Sequence, residues 1–173
     1  LRYDPIFLSD KYNVDYHIRA FNKSCTILKG YVSKVIVSFV DDYKNVRNNH
    51  LDYHEPSNEE YLKLKEAFEK NDMKIVSCME NKYHIGDEKD CCISIKYAFE
   101  RTGKLYKEWK ARDCHCVNMV DVGAYNSCLH GCKYCYANFD SKQIVSNYKM
   151  HDVNSSLLIG HLNLDDQVKI RRK

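Results

Sequence analysis

The sequence predicts an α/β protein: a partial (β/α) barrel of about three βα units over residues 1–104, followed by an irregular cysteine-rich C-terminal region. Three observations carry that expectation. Short runs rich in β-branched and aromatic residues alternate with segments of helical periodicity. Capping residues and glycines punctuate those segments. Beyond Lys104 the periodicity fades and cysteines concentrate.

Taken in order, Tyr3 to Leu8 is short and apolar, with Pro5 tolerable only near a strand end or edge and Ser9-Asp10 supplying turn chemistry. Between Asn13 and Gly30, Ile18, Phe21, Cys25 and Leu28 recur on one helical face, and Gly30 can end the helix. Cys25 is thereby a core residue, as free cysteines usually are. Lys34 to Val40 reads as a buried strand that runs into the acidic pair Asp41-Asp42. Ser57 and Glu60 match a capping box ahead of Tyr61, Leu64 and Phe68. Met73 to Cys78 is a third strand, and Cys92 to Arg101 a third helix that stops at Gly103. Strand and helix in alternation imply parallel strands joined by crossovers, which makes half a barrel or a small open sheet. Residues 105–140 form the cysteine-rich segment. Residues 141–173 are expected to be an irregular tail packed on the same domain, anchored by Leu157, Leu158 and Ile159 and ending in a solvated charged terminus at 169–173.

The 27 basic and 24 acidic residues are interspersed, giving a formal charge of +3 without the basic blocks of a nucleic-acid or membrane surface. No apolar stretch reaches the roughly 18 residues that a membrane span needs, and the first residues lack signal-peptide order. A cytoplasmic protein is expected. Because the chain opens on Leu1 within a strand-like segment, preceding sequence is expected too. Nine cysteines in a reducing compartment point to metal binding rather than disulfides.

The sharpest chemical signal is Cys128-Leu129-His130-Gly131-Cys132-Lys133-Tyr134-Cys135, a C-x3-C-x2-C motif. Three thiolates on one short loop can each hold one iron of a [4Fe–4S] cluster and leave the fourth iron open. Gly131 relieves the backbone beside inorganic sulfide, and Tyr134 can shield the cluster from water. The competing reading is a zinc site built from these thiolates with His130 or His115, although zinc more often uses C-x2-C pairs. Cys114 and Cys116 flank His115, Cys78 ends a strand and Cys92 opens a helix. If the strand ends converge, these four thiolates can hold a second cluster or a zinc ion; a mixture of core thiols and one local chelate is the equal alternative. Cys91 is read as a non-ligand. His17, His54, His84, His151 and His161 show no ligand spacing and are read as surface or hydrogen-bonded structural residues. Asp41, Asp42 and Glu80 follow strands, where barrel enzymes carry working groups, and are equally well read as solvated loop carboxylates.

The cysteine spacing, with an aromatic residue before the last thiol, resembles the signature of the radical S-adenosylmethionine enzymes. In those the open iron binds S-adenosylmethionine, and one electron cleaves it to a 5′-deoxyadenosyl radical. Arg2-Tyr3-Asp4-Pro5-Ile6, Val37-Ser38-Phe39, Cys92-Ile93, Cys114-His115-Cys116, Asp121 to Asn126, Cys128 to Asn138, His151-Asp152 and Leu157 to Gly160 resemble domain of unknown function 1848, an uncharacterised, largely bacterial family. Its cysteine segment is similar to that of radical enzymes such as spore photoproduct lyase. The resemblance implies that the chain is the C-terminal half of a larger barrel. The missing half, a partner chain or a homodimer would then cover the sheet edge. It also implies an enzyme acting on an unidentified small-molecule or nucleic-acid substrate. His115 stands where the family resemblance leads one to expect glycine, and the cluster loop follows the last βα unit instead of the first strand. A non-catalytic protein, in which an iron–sulfur cluster or zinc is structural, is the alternative.

Overall fold

A computed structural model describes residues 1–80, 82–88, 90–110 and 114–169. It contains strand β1 (Arg2–Ile6), helix α1 (Val14–Leu28), β2 (Val35–Phe39), α2 (Lys44–Asn48), α3 (Asn58–Glu69), β3 (Ile75–Ser77), α4 (Ile95–Thr102) and α5 (Ser141–Lys149). The three strands form one parallel sheet in the order β1-β2-β3. The expected α/β alternation is therefore present, as an open three-stranded sheet that is not closed into a barrel. No helix is long and apolar enough to cross a membrane among the described residues.

Local chemistry explains most of the boundaries. The Asn13 side chain accepts the Tyr16 amide at 3.0 Å and starts α1, whose buried face carries His17, Phe21 and Cys25. That stripe is turned slightly from the expected one, since His17 rather than Ile18 goes deepest. Ser57 and Glu60 form the reciprocal capping box at α3. The register between β1 and β2 shifts between Tyr3 and Ile6, at the Asp4-Pro5 step, where proline has no amide to give the ladder. At Gly86, with φ +89, a Cβ would lie 2.3 Å from the Ile75 carbonyl oxygen, so only glycine lets this turn pass over β3.

Two expectations are corrected, and one helix was not expected. The helix expected from Cys92 begins at Ile95, because the Ser94 side chain accepts the Tyr97 amide and caps it there; Cys92 stands in the approach. Lys44–Asn48 is a short helix with a single buried apolar residue, Val46, too few to show periodicity. The tail is not wholly irregular, since Asp140 caps α5 by accepting the Gln143 amide at 3.0 Å. Of the charged terminus expected at 169–173, residues 170–173 lie outside the described residues.

The chain divides into two compact units, one of residues 1–41 and 52–119, the other of 42–51 and 120–173. This division cuts the cysteine-rich segment 105–140 at Val120. In the first unit the core runs from Ile6 and Leu8 through Val35, Val37 and Leu64 to Ile75 and Ile85. At its centre Phe21 and Phe68 stack with ring centroids 3.8 Å apart, and Tyr3 meets both edge-on. In the second unit, among the described residues, the buried side chains are Val46, Asn126, Asn138 and Asn147.

Candidate metal centres

The cysteines fall into two groups, one in each unit, with Cys25 apart in the core of α1. In the second unit, Cys128, Cys132 and Cys135 share one loop, Cys128 exposed and the other two half-buried. The loop is tied at its base. Asn126 takes a left-handed conformation, φ 54, and donates its amide to the Ala137 carbonyl at 2.9 Å. Its side-chain oxygen accepts the amides of Phe139 and Asp140 at 2.8 and 3.1 Å. Asn138 donates to the Cys128 carbonyl at 2.6 Å, and Asn147 of α5 donates to the Asn126 carbonyl at 3.0 Å. Asn49, just beyond α2, donates to the Lys133 carbonyl at 3.2 Å. Within the loop Cys135 donates its amide to the Cys132 carbonyl at 3.1 Å. Gly131, at φ +63, has open space where a side chain would project. The backbone is therefore held by asparagine side chains while the thiols stay accessible, a donor set suited to iron or another thiophilic metal. Sequence reasoning passed over this asparagine clasp, since polar residues carry no periodic signal.

In the first unit Cys78, Cys91, Cys92, Cys114 and Cys116 come together beside Ile36, Ile93 and Met119. The spread of these residues along the chain is bridged by backbone pairing. Cys78 extends β3, donating its amide to the Val37 carbonyl at 2.9 Å. Ser94 and Cys116 form an antiparallel bridge, the Val117 amide donates to the Ile93 carbonyl at 2.9 Å, and the Trp109 amide donates to the Cys116 carbonyl at 2.8 Å. The neighbouring Cys92 and the Arg2 guanidinium hold the Cys78 thiol below the usual thiol range, and the neighbouring Cys78 with burial pushes Cys92 up. Burial and the neighbouring Cys116 push Cys91 up to about 12. Burial also raises Cys114, against the Cys116 amide that bonds its sulfur. His115, between them, is exposed and paired with Glu108 at 2.7 Å. Among the described residues, no three or more His, Cys, Asp and Glu side chains are gathered closely enough to hold a metal ion as they stand.

A family model described as domain of unknown function (DUF1848) matches residues 1–137. The chain belongs to that family. All nine cysteines lie within the span that the DUF1848 model matches, whereas α5 and the tail lie beyond it. No curated protein matches the chain, and no solved structure does.

The carboxylates expected at strand ends are distributed between the units. Glu80 is half-buried beyond β3 and accepts the Phe39 amide. Burial, with the charge of Asp41, raises its pKa to about 7. Asp42 lies in the second unit and pairs with Arg47 at 2.6 Å. Of the histidines, His17 is buried with both ring nitrogens bonded, His54 faces Glu60, His151 bonds the Leu158 carbonyl and His161 pairs with Asp152. His84 accepts Tyr61 and Lys65 on its carbonyl, with its Nδ1 buried and unpartnered.

Proposed function

We propose that this DUF1848 chain is an iron–sulfur protein that holds a [4Fe–4S] cluster on Cys128, Cys132 and Cys135 and forms part of a radical S-adenosylmethionine-like enzyme. The observation that carries the reading is the loop itself: three accessible thiols on eight residues, in a unit whose backbone is clasped by Asn126, Asn138 and Asn147. When bound, such a cluster supplies one-electron chemistry and an open iron for the cofactor. The residues of the chain do the rest. Cys128, Cys132 and Cys135 bind, Gly131 lets the backbone pass close, and the asparagine clasp fixes the ends of the loop so that the thiols close on the metal from a defined frame. The barrel reading rests on the open parallel sheet, whose β1 and β3 each pair on one side among the described residues. Further βα units or a second chain would cover those edges.

A structural role for the metal is the second reading, favoured by the scarcity of buried apolar side chains in the second unit, since metal binding contributes directly to folding. Anaerobic reconstitution with iron and sulfide tests the site. The wild type should take up about four irons per chain, and a Cys128→Ala, Cys132→Ala, Cys135→Ala variant should lose them. Addition of S-adenosylmethionine to the reduced protein then separates the readings. A changed electron paramagnetic signal with reductive cleavage supports the enzyme, and an unchanged signal supports the structural metal. Uptake of iron by the triple variant equal to the wild type would remove both.

A further inference from the structure

The first unit carries an open cavity of about 600 Å³ beside the start of β2, a size that suits a small organic molecule. Two stretches of chain supply most of its lining, the turn from α1 into β2 and the helix α4 with the residues leading into it. Ile93, Tyr97 and Arg101 recur every four positions, the spacing that puts side chains along one side of a helix, and all three line the cavity. Val32 and Ile36 join Ile93 in an apolar wall, and no aspartate or glutamate among the described residues lines it. We propose that this cavity binds a small organic anion, a carboxylate or a phosphate monoester, with its acidic head at Arg101 and its apolar body against Val32, Ile36 and Ile93.

The placement of charge carries the inference. Lys34 is a buried cation whose ammonium donates to the Cys91 carbonyl at 2.6 Å. Its neighbour Asp90 lies 3.7 Å away but only 2.7 Å from the ammonium of Lys74, so that carboxylate is shared. Arg101 forms no ion pair among the described residues, unlike Arg2 with Asp4 and Arg47 with Asp42. Both cations are held instead by the ring of Tyr97, with the Lys34 Nζ 5.0 Å and the Arg101 Cζ 5.4 Å from its centroid.

A ring positions a cation without neutralising it. A guanidinium held over a ring also keeps its in-plane N–H groups, the fork that takes a carboxylate or phosphate by two parallel bonds. Arg101 stands in the last turn of α4, where a cation is favoured in any case. The aromatic support, the second cation on the same ring and the lack of lining carboxylates turn that position into an anion site. Ser33 adds a hydroxyl to the lining. The apolar wall selects an organic ligand over a bare inorganic ion, because only a ligand with a body removes that wall from water. The cavity belongs to the first unit and the cluster loop to the second, so the inference stands apart from the iron–sulfur reading.

Titration of the full chain with hexyl phosphate, hexanoate and hexanol, followed by two-dimensional proton–nitrogen NMR, is the test. Shifts should gather at residues 30–36 and 92–101 and leave residues 124–140 unmoved. Hexanol has the same body without the charge and should bind about ten-fold more weakly than the tighter anion, since a charge-assisted hydrogen bond is lost. Whichever anion binds more tightly names the head group. Arg101 is exposed, so Arg101→Gln leaves the core intact, and it should weaken that anion about ten-fold. Arg101→Lys, which keeps the charge without the fork, should fall between. Hexanol binding as tightly as both anions, shifts centred outside the two segments, no binding of either anion, or an Arg101→Gln affinity equal to the wild type would overturn the site.

Discussion

In the first unit the interior is a continuous apolar cluster built around the stacked Phe21 and Phe68, whereas in the second the buried side chains among the described residues are Val46 and three asparagines. Apolar burial is non-directional and accumulates with area. A clasp of side-chain hydrogen bonds is directional, and each bond contributes only about 1 kcal/mol net. The first arrangement gives a stable scaffold that tolerates change at its surface. The second fixes a loop in one conformation while contributing little to its stability, so ligand binding has the greater leverage there. Tyr125, Leu129, Tyr136, Phe139 and Leu158 of the second unit remain exposed, which sharpens the contrast.

The largest expected effect lies in the apolar unit. Phe68→Ala removes one ring of the central stack and the edge contact with Tyr3, at a cost of about 3–5 kcal/mol. Urea unfolding followed by the fluorescence of Trp109, the single tryptophan, reads this unit directly. A midpoint unchanged from wild type would remove the stack as the centre of stability. Next comes Asn126→Ala, which deletes the acceptor of the Phe139 and Asp140 amides and places alanine at φ 54. Leaving those amides unpaired costs about 1–3 kcal/mol, confined to the second unit. Hydrogen exchange should rise across residues 124–140 and stay constant at Val35–Phe39. Equal loss of protection in both would mean that the units do not differ in the way their interiors suggest.

The same contrast governed what the sequence could disclose. The apolar unit writes itself in periodicity: Phe21 and Cys25 mark the face of α1, Val35 to Val40 reads as a buried strand, and the Ser57–Glu60 capping box falls at the start of α3. Tertiary closure is not written that way, so half a barrel and a small open sheet stood as alternatives, and the strands β1, β2 and β3 form an open sheet. In the second unit hydrogen bonds replace periodicity, and both of its helices escaped notice. For α5 a signal did exist, Asp140 with Gln143 three residues on and Ile144, Val145 and Tyr148 behind it, a capping pattern before an apolar stripe. The motif Cys128 to Cys135 was legible because its thiols are close in sequence. The gathering of Cys78, Cys92, Cys114 and Cys116 was only an alternative, since their meeting depends on β3 and on the pairing of Ser94 with Cys116.

A polar group also lies inside the apolar unit, and it gives the smallest expected effect and the finest test. His17 is buried on α1, accepting the Tyr3 hydroxyl on Nδ1 at 2.9 Å and donating from Nε2 to the Phe7 carbonyl at 3.0 Å. Burial holds its pKa below the usual 6.5, against the Phe7 carbonyl that favours the charged form. As pH falls below about 6.5 the unfolded chain takes up a proton that the folded one still refuses. The neutral imidazole's contribution is therefore complete above that value and is lost as pH falls through the lower folded pKa. His17→Gln keeps a donor for Phe7 and has no titration in this range, so it should cost about 1 kcal/mol at pH 7.5 and flatten the decline in stability toward pH 5. Unfolding midpoints read by Trp109 at both pH values decide the matter. Parallel declines in wild type and variant would place the acid sensitivity elsewhere in the unit, whereas a flattened one shows that a single buried imidazole gives the apolar scaffold its dependence on pH.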